Sequence, residues 1–410
     1  MAVGLEEIRA AAEAQRGVVN ETPVIHDEAL SRQLGAEAYL KAECLQRSGS
    51  FKLRGAFNKI RSLSEEERSR GVISPSAGNH AQGVALAASL HGTHATIVMP
   101  GFAPLTKVMA TRELGAEVLL EGESFDDAAA LAEKLRNERG YTAVHAFDDE
   151  RVISGQGTLG LEIADALPEA SVVVVPIGGG GLISGVATAL KSLNPAVRVI
   201  GVQTESVSSV KPSLARGEPV QVAASQTIAD GIAVKRPGGL TLPIIRELVD
   251  EIVEVSEDEI ARAIAHCVQR GRIVVEGAGA AGVAALLSGK VAVEPSDTVC
   301  TILCGGNIDG NLLSRVIEQV MVRQGRYLLL RLSVLDRSGS LAPLVGCVAE
   351  AGANIVDVFH RRAVWLAPLG KVGLELVLEV RDDEHADQVI EHLQNAGYHA
   401  EREPQGLWPE

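Results

Sequence analysis

The chain has 410 residues, 46% of them hydrophobic but only 3% aromatic, and it carries 42 glycines. That length allows two or three domains with cores of their own, and the Ala/Val/Gly-rich balance suits an α/β protein better than an all-β one. Acidic residues outnumber basic ones by 53 to 38, a formal net charge of −15, which argues against nucleic acid or an anionic membrane as the main partner but leaves room for a local phosphate pocket.

The start, MAVGLEEIRA, reads as an acidic helix without the basic and apolar regions of a signal peptide, and no run is apolar for long enough to span a bilayer. The five cysteines, Cys44, Cys267, Cys300, Cys304 and Cys347, make no C-x-x-C pair and no zinc spacing with histidine. They are expected as reduced thiols in the cytoplasm. From about residue 36 to about residue 325 short apolar runs alternate with amphipathic stretches. The runs are AYL near Tyr39, ATIVM from Ala95, AEVLL from Ala116, SVVVVPI from Ser171, VRVIGV from Val197 and TVCTILC from Thr298. They read as buried parallel strands. A helix from Phe125 is expected to turn Ala129, Leu131 and Leu135 to a core. Another begins at Ser256, where Ser256 and Glu259 have capping-box spacing. Such alternation predicts an open parallel sheet with helices on both faces, and ligands at the carboxyl ends of the strands. The pattern changes at about Gly325. A strand, a turn at Asp336–Gly339, a helix from about Leu341 and a strand from Asn354 are followed by a strand, an acidic turn, a helix and a short strand. That is β-α-β-β-α-β, a ferredoxin-like unit.

Five stretches carry candidate chemistry. RSGSFKLRG places Lys52 between Phe51 and Leu53, either as a solvated charge or as an amine kept neutral for reaction. SPSAGNHAQG puts Ser76, Gly78 and Asn79 at a helix start, which suits a bound carboxylate or ordinary capping; His80 beside them is a packed histidine or a base. In VVVVPIGGGGLISG a strand ends at Ile177, and Gly178, Gly179, Gly180 and Gly181 lead into a helix near Leu182. Converging backbone N–H groups and the helix dipole make a phosphate cradle there. The alternative, a tight strand-to-helix turn, needs fewer glycines. The run is neither a Walker loop nor a G-x-G-x-x-G fingerprint. TILCGGNIDG sets Cys304 at a strand's carboxyl end, at the ligand edge or as a buried small hydrophobe. Glu276 precedes a small-residue helix in VVEGAGAAGVAAL. A phosphate cradle, a carboxylate-sized cradle and a lysine in an apolar setting together point to pyridoxal phosphate, whose aldehyde needs a lysine amine with a lowered pKa.

In this order, SGSFKLRGA, SAGNHAQGVA, GGGGL and CGGN resemble the pyridoxal-phosphate enzymes of the tryptophan-synthase-β fold, and within them the threonine dehydratases, over about residues 5 to 323. IADGIAVKRPG and LVDEIVEVSEDEI are similar to the catabolic members. Residues from about 327 to 402, with DRSGSL, resemble an ACT domain. The resemblance implies a catalytic domain at 1–323, built on two open, mainly parallel sheets, with a small subdomain at about 50–150 inserted in a large one, and an ACT regulatory domain at 327–402. It makes Lys52 the Schiff-base lysine and Phe51 the residue packed beside the ring. Ser76, Ala77, Gly78, Asn79 and His80 would receive the substrate carboxylate, with Asn79 also near the ring's phenolic oxygen. Gly178, Gly179, Gly180, Gly181 and Leu182 match the phosphate loop, Cys304 faces the pyridine nitrogen, and Glu276 joins the cofactor set. The implied reaction takes L-threonine to 2-oxobutanoate and ammonia, and L-serine to pyruvate. Lys52 would remove the α-proton, and either Lys52 or the cofactor phosphate would protonate the leaving hydroxyl.

Two departures matter. Ala77 stands where the related serine racemases have a serine, and a methyl group moves no proton. VQTESVSSV has Gln203 and Ser209 where racemases hold a divalent cation with carboxylates, and Glu205 alone makes a poor site. No metal is therefore expected, and a monovalent cation stays open. The ACT resemblance implies an amino-acid or nucleotide effector and a homotetramer, in isoleucine biosynthesis or in catabolism. A serine-directed dehydratase or racemase of the same fold is the nearest alternative, and an amino-acid sensor without turnover is the non-enzyme one.

Overall fold

The computed structural model describes residues 3–223, 225–361 and 369–402. The chain divides into two compact units, Met1–Gly310 and Asn311–Glu410.

The first unit holds two sheets. The larger has six strands in the order Val24–His26, Glu37–Lys41, Thr298–Ile302, Val172–Pro176, Arg198–Thr204 and Glu251–Val255. Only its first pair is antiparallel. The smaller runs Glu117–Leu120, Ala95–Met99, Val72–Pro75 and Thr142–Ala143, parallel throughout. Val172–Pro176 and Ala95–Met99 are buried at every position, as expected of strands with helices on both faces. Val172–Pro176 ends one residue before Ile177, and its neighbour Thr298–Ile302 stops two residues before Cys304. The hydrogen bonding still runs one residue further, with Ile177 N donating to Val202 O at 2.7 Å and Leu303 N to Lys41 O at 2.9 Å. Both chains therefore leave the sheet at the same edge.

The capping box at Ser256 forms: Ser256 Oγ accepts from Glu259 N, and the Glu259 carboxylate accepts from Ser256 N at 2.8 Å. The helix Phe125–Arg139 buries Ala128, Ala132 and Leu135. Its buried stripe follows i, i+4, i+7 from Ala128, so Ala129 lies at the margin rather than the centre. Four strands had no clear signal in the sequence: Val24–His26, Val72–Pro75, Thr142–Ala143 and Glu251–Val255. They are short or only half-apolar.

A buried ionic network ties the helix Lys52–Arg61 to the larger sheet. Arg54 is 1% exposed. Its guanidinium donates to both Glu43 carboxylate oxygens at 2.8 Å, to Glu162 Oε2 at 2.9 Å and to Thr158 Oγ1 at 3.1 Å. Lys41, also 1% exposed, donates to Glu162 Oε2 and to Thr22 O, each at 2.6 Å.

In the second unit the helix Gly310–Arg323 precedes a strand at Tyr327–Leu335, a helix at Leu341–Glu350, strands at Asn354–Arg361 and Lys371–Glu379, a helix at Asp383–Asn395 and a short strand at Glu401–Arg402. The sheet order is Asn354–Arg361, Lys371–Glu379, Tyr327–Leu335, Glu401–Arg402, antiparallel throughout. Tyr327–Leu335 alternates buried and open positions. Its buried face joins Leu344, Val348, Val389 and Leu393 from the two helices in one core. Residues 362–368, inside the expected span 327–402, lie outside the described residues. Among the described residues no helix is long and apolar enough to cross a membrane.

Candidate active site

Lys52 opens its helix beside the carboxyl edge of the larger sheet. Ser50 and Gly305 form an antiparallel bridge, and Phe51 N donates to Cys304 O at 3.1 Å. Two motifs far apart in sequence are thereby joined through the backbone. On the other side Gly83 lets the helix Asn79–Leu90 close in: a methyl there would lie 2.9 Å from the Lys52 carbonyl carbon. The Lys52 amine donates to Ala146 O at 3.1 Å and sits 5.1 Å from the Phe51 ring centre. Among the described residues no carboxylate makes an ion pair with it. Burial pushes its pKa down to about 8, and Cys304 and Glu276 offset only part of that. Of the two alternatives in the sequence, the half-buried amine with a lowered pKa departs from a freely solvated charge.

Ser76, Ala77, Gly78 and Asn79 follow the strand Val72–Pro75 and are all half-buried. Gly78 N donates to Ser76 Oγ at 3.4 Å, and the helix starts at Asn79. Asn79 is held at both ends of its amide. Its Nδ2 donates to Glu276 Oε1 at 2.6 Å, and its Oδ1 accepts from Asn307 Nδ2 at 2.8 Å. Asn307 Nδ2 also donates to Ser48 O at 2.9 Å, in the segment leading to Lys52. Glu276 is buried, and its N donates to Gly305 O at 3.1 Å. Burial and then Asp230 push its carboxyl up to about 7, against the Asn79 hydrogen bond, which lowers it. His80 is buried, and its Nε2 donates to Val144 O at 2.8 Å. Burial, then the Lys52 charge, push its pKa down to about 3. It is a neutral histidine packed against that carbonyl.

The four glycines are pressed from behind. A methyl on Gly179 would enter the Phe147 ring, and Gly180 has φ +98° with Thr241 and Ile245 against it. Gly179 O accepts from Thr241 Oγ1 at 2.7 Å and from Gly238 N at 3.1 Å. Asp148, one residue after Phe147, accepts from Gly239 N at 2.9 Å and Leu240 N at 2.8 Å, which fixes the backing loop. Carbonyls are thus used for structure, while the first N–H groups of the helix Gly181–Leu193 have no partner within the helix. The turn reading and the cradle reading describe the same loop. Leu182 is buried behind it.

Cys304 is 3% exposed, and burial holds its thiol well above the usual range, so it is neutral. Gln203, Ser209 and Glu205 are engaged elsewhere. Gln203 Oε1 accepts from Val210 N at 2.9 Å, Ser209 Oγ donates to Val234 O at 2.8 Å, and Glu205 pairs with Lys290 at 3.1 Å.

Ala146, Phe147, Asp148 and Asn307 were not singled out by the sequence. Asn307 lies in the CGGN turn and could have been found there, whereas HAFDDE carries no local signal. A cofactor bearing a phosphate and an aldehyde fits this donor set. An amine able to lose its proton, a neutral thiol and a glycine loop too tight for side chains lie at one edge of one sheet.

A family model described as pyridoxal-phosphate dependent enzyme matches residues 16–305. The L-threonine ammonia-lyase of Thermotoga maritima is 50% identical over 396 residues, covering 97% of this chain and 98% of its own. Among solved structures, the processed threonine deaminase isoform 2 of Solanum lycopersicum is 40% identical with a TM-score of 0.73, covering 77% of this chain and 92% of that one. Maize serine racemase is 35% identical with a TM-score of 0.74, covering 79% and 99%.

Proposed function

Since the chain belongs to the pyridoxal-phosphate-dependent enzyme family, we propose that the cleft at Lys52 is its active site. The enzyme is an L-threonine ammonia-lyase, taking L-threonine to 2-oxobutanoate and ammonia with pyridoxal phosphate as cofactor. The observation that carries the site assignment is an unpaired amine with a pKa of about 8, set beside the neutral Cys304 thiol by the Phe51–Cys304 backbone bond.

Bound pyridoxal phosphate supplies an imine link to the substrate amine and a ring that spreads charge from Cα. Gly178, Gly179, Gly180, Gly181 and Leu182 would hold its phosphate with backbone N–H groups at a helix N-terminus. Phe51 would pack beside its ring. Cys304 would face the ring nitrogen and, as a neutral thiol, would not enforce its protonation. Ser76, Ala77, Gly78 and Asn79 receive the substrate carboxylate, and His80 anchors that loop to Val144 O. Asn79 keeps its orientation because Glu276 and Asn307 hold both ends of its amide. Lys52 removes the α-proton; with a pKa of about 8 its neutral form is accessible near neutrality. The Ala77 methyl has no proton to give on the opposite face, which favours elimination over racemisation.

L-Serine differs from L-threonine by one methyl group, worth about 1–3 kcal/mol in a pocket, so it is a second substrate, giving pyruvate. Residues 1–323 form the catalytic domain, with the small subdomain at about 50–150, and residues 327–402 form an ACT domain. The antiparallel β-α-β-β-α-β order supports the second assignment. A cleft of about 580 Å³ beside Asp336, Ser338, Ser340 and His360 suits a small effector, an amino acid or a nucleotide. The active form is a cytoplasmic homotetramer.

The test is keto-acid formation by the cofactor-loaded enzyme. L-Threonine should give 2-oxobutanoate faster at low concentration than L-serine gives pyruvate. A loaded enzyme that forms neither product overturns the reading.

A further inference from the structure

The C-terminal unit has a second set of chemically capable side chains, remote in sequence from every residue of the candidate active site. Cys347 and Glu350 lie three residues apart on the helix Leu341–Glu350, and His392 lies on the helix Asp383–Asn395. We propose that Cys347, Glu350 and His392 form a divalent metal site of the zinc class that clamps these two helices together.

The geometry is close to what such a site needs. One ligand atom from each residue lies within 4.8 Å of the other two. His392 Nε2 and Glu350 Oε2 are 3.6 Å apart. Ligand atoms around tetrahedral zinc, bound at about 2.0–2.3 Å, stand roughly 3.3–3.8 Å from one another. Closure therefore requires only a side-chain adjustment. The convergence follows from the topology. The strands preceding the two helices are antiparallel, so the helices are antiparallel too. Side chains lean toward the N-terminus of their own helix. Glu350, at the end of one helix, and His392, near the end of the other, therefore lean toward each other. The His385 Nε2 bond to Ala351 O at 2.9 Å holds the first turn of the second helix against the end of the first.

The chemistry selects the ion. A thiolate, an imidazole and a carboxylate suit zinc and its neighbours, whereas calcium and magnesium take all-oxygen sets. Three protein ligands leave a fourth position for water. The side chains of Glu350 and His392 are 74% and 42% exposed, so the ion can enter from solvent. Cys347 is only partly buried, whereas the other four cysteines are buried. Binding exchanges the thiol proton for the metal and releases that proton to solvent, with no redox change. The spacing hides the set from sequence inspection, because Cys347 and His392 are on different helices.

The probe is zinc chloride, added to the chelator-treated, cofactor-loaded full chain and followed by gel filtration and metal analysis. The wild type should retain one zinc per chain. Cys347→Ser and His392→Ala should each weaken retention by about a hundredfold, and Glu350→Gln by about tenfold. Zinc should also protect Cys347, read on its own peptide, from iodoacetamide. Circular dichroism of each variant separates loss of ligand from loss of fold. A wild type that retains no zinc, or a Cys347→Ser variant that retains as much as the wild type, overturns the site.

Discussion

Lys52 and Arg54 share the first turn of one helix, and the groups around them differ in kind. Arg54 meets Glu43 with two hydrogen bonds at 2.8 Å and Glu162 beyond it, and these partners raise its pKa despite burial. Lys52 meets the Ala146 carbonyl and, among the described residues, no carboxylate, and burial takes its pKa down to about 8. A charge withdrawn from water persists only where it is paired. The same helix turn thus carries one paired cation and one amine whose proton is more easily lost.

The comparison breaks most visibly at Lys52. Lys52→Ala should lower threonine turnover by about 10⁴-fold while circular dichroism stays unchanged; turnover near the wild-type level would remove Lys52 from the mechanism. Arg54→Met should leave Glu43 buried and unpaired, costing about 3–5 kcal/mol in denaturant unfolding. Lys52→Met, measured the same way on cofactor-free protein, should cost nothing or stabilise. Equal losses for the two methionine variants would show that pairing does not distinguish the sites.

Glu276 sharpens the contrast through pH. Its folded pKa of about 7 stands above its ordinary 4.5, so between those values the folded protein binds more protons than the unfolded one. Stability from this group is therefore present at low pH and is lost as pH rises through about 7. Across that window the wild type should lose as much as about 3 kcal/mol relative to Glu276→Gln, read from unfolding midpoints; parallel pH profiles would contradict it. Lys52 acts in the opposite window, since its lowered pKa makes stability rise with pH from about 8 toward 10.5. The smallest effect is expected at Cys304→Ser. Burial, not the thiol, sets the Lys52 pKa, so turnover should stay within about tenfold, or about 1.4 kcal/mol.

Much of the site was legible because its parts are turns with composition of their own. The glycine run and Cys304 follow neighbouring strands of the larger sheet, whose parallel order brings their carboxyl ends to one edge, and Ser76–Asn79 follows a strand of the smaller sheet. Phe147 was not legible, because its role is to fill the space that Gly179 and Gly181 leave empty, and nothing in HAFDDE announces that. Nor was the Arg54 network: sequence gives a charge but not whether it is buried. Among the strands, Val72–Pro75 has little signal of its own because it is short and ends in proline, although it leads into Ser76–Asn79. For His80 the sequence leaves packing and basicity open, and the structure adds the bond from its Nε2 to the Val144 carbonyl.

The most direct test is to reduce the cofactor-loaded enzyme with borohydride and find the labelled lysine by peptide mass spectrometry. The pyridoxyl group is expected on Lys52, whose half-buried amine has no carboxylate partner among the described residues. Label on any other lysine, with Lys52 unmodified, would contradict it.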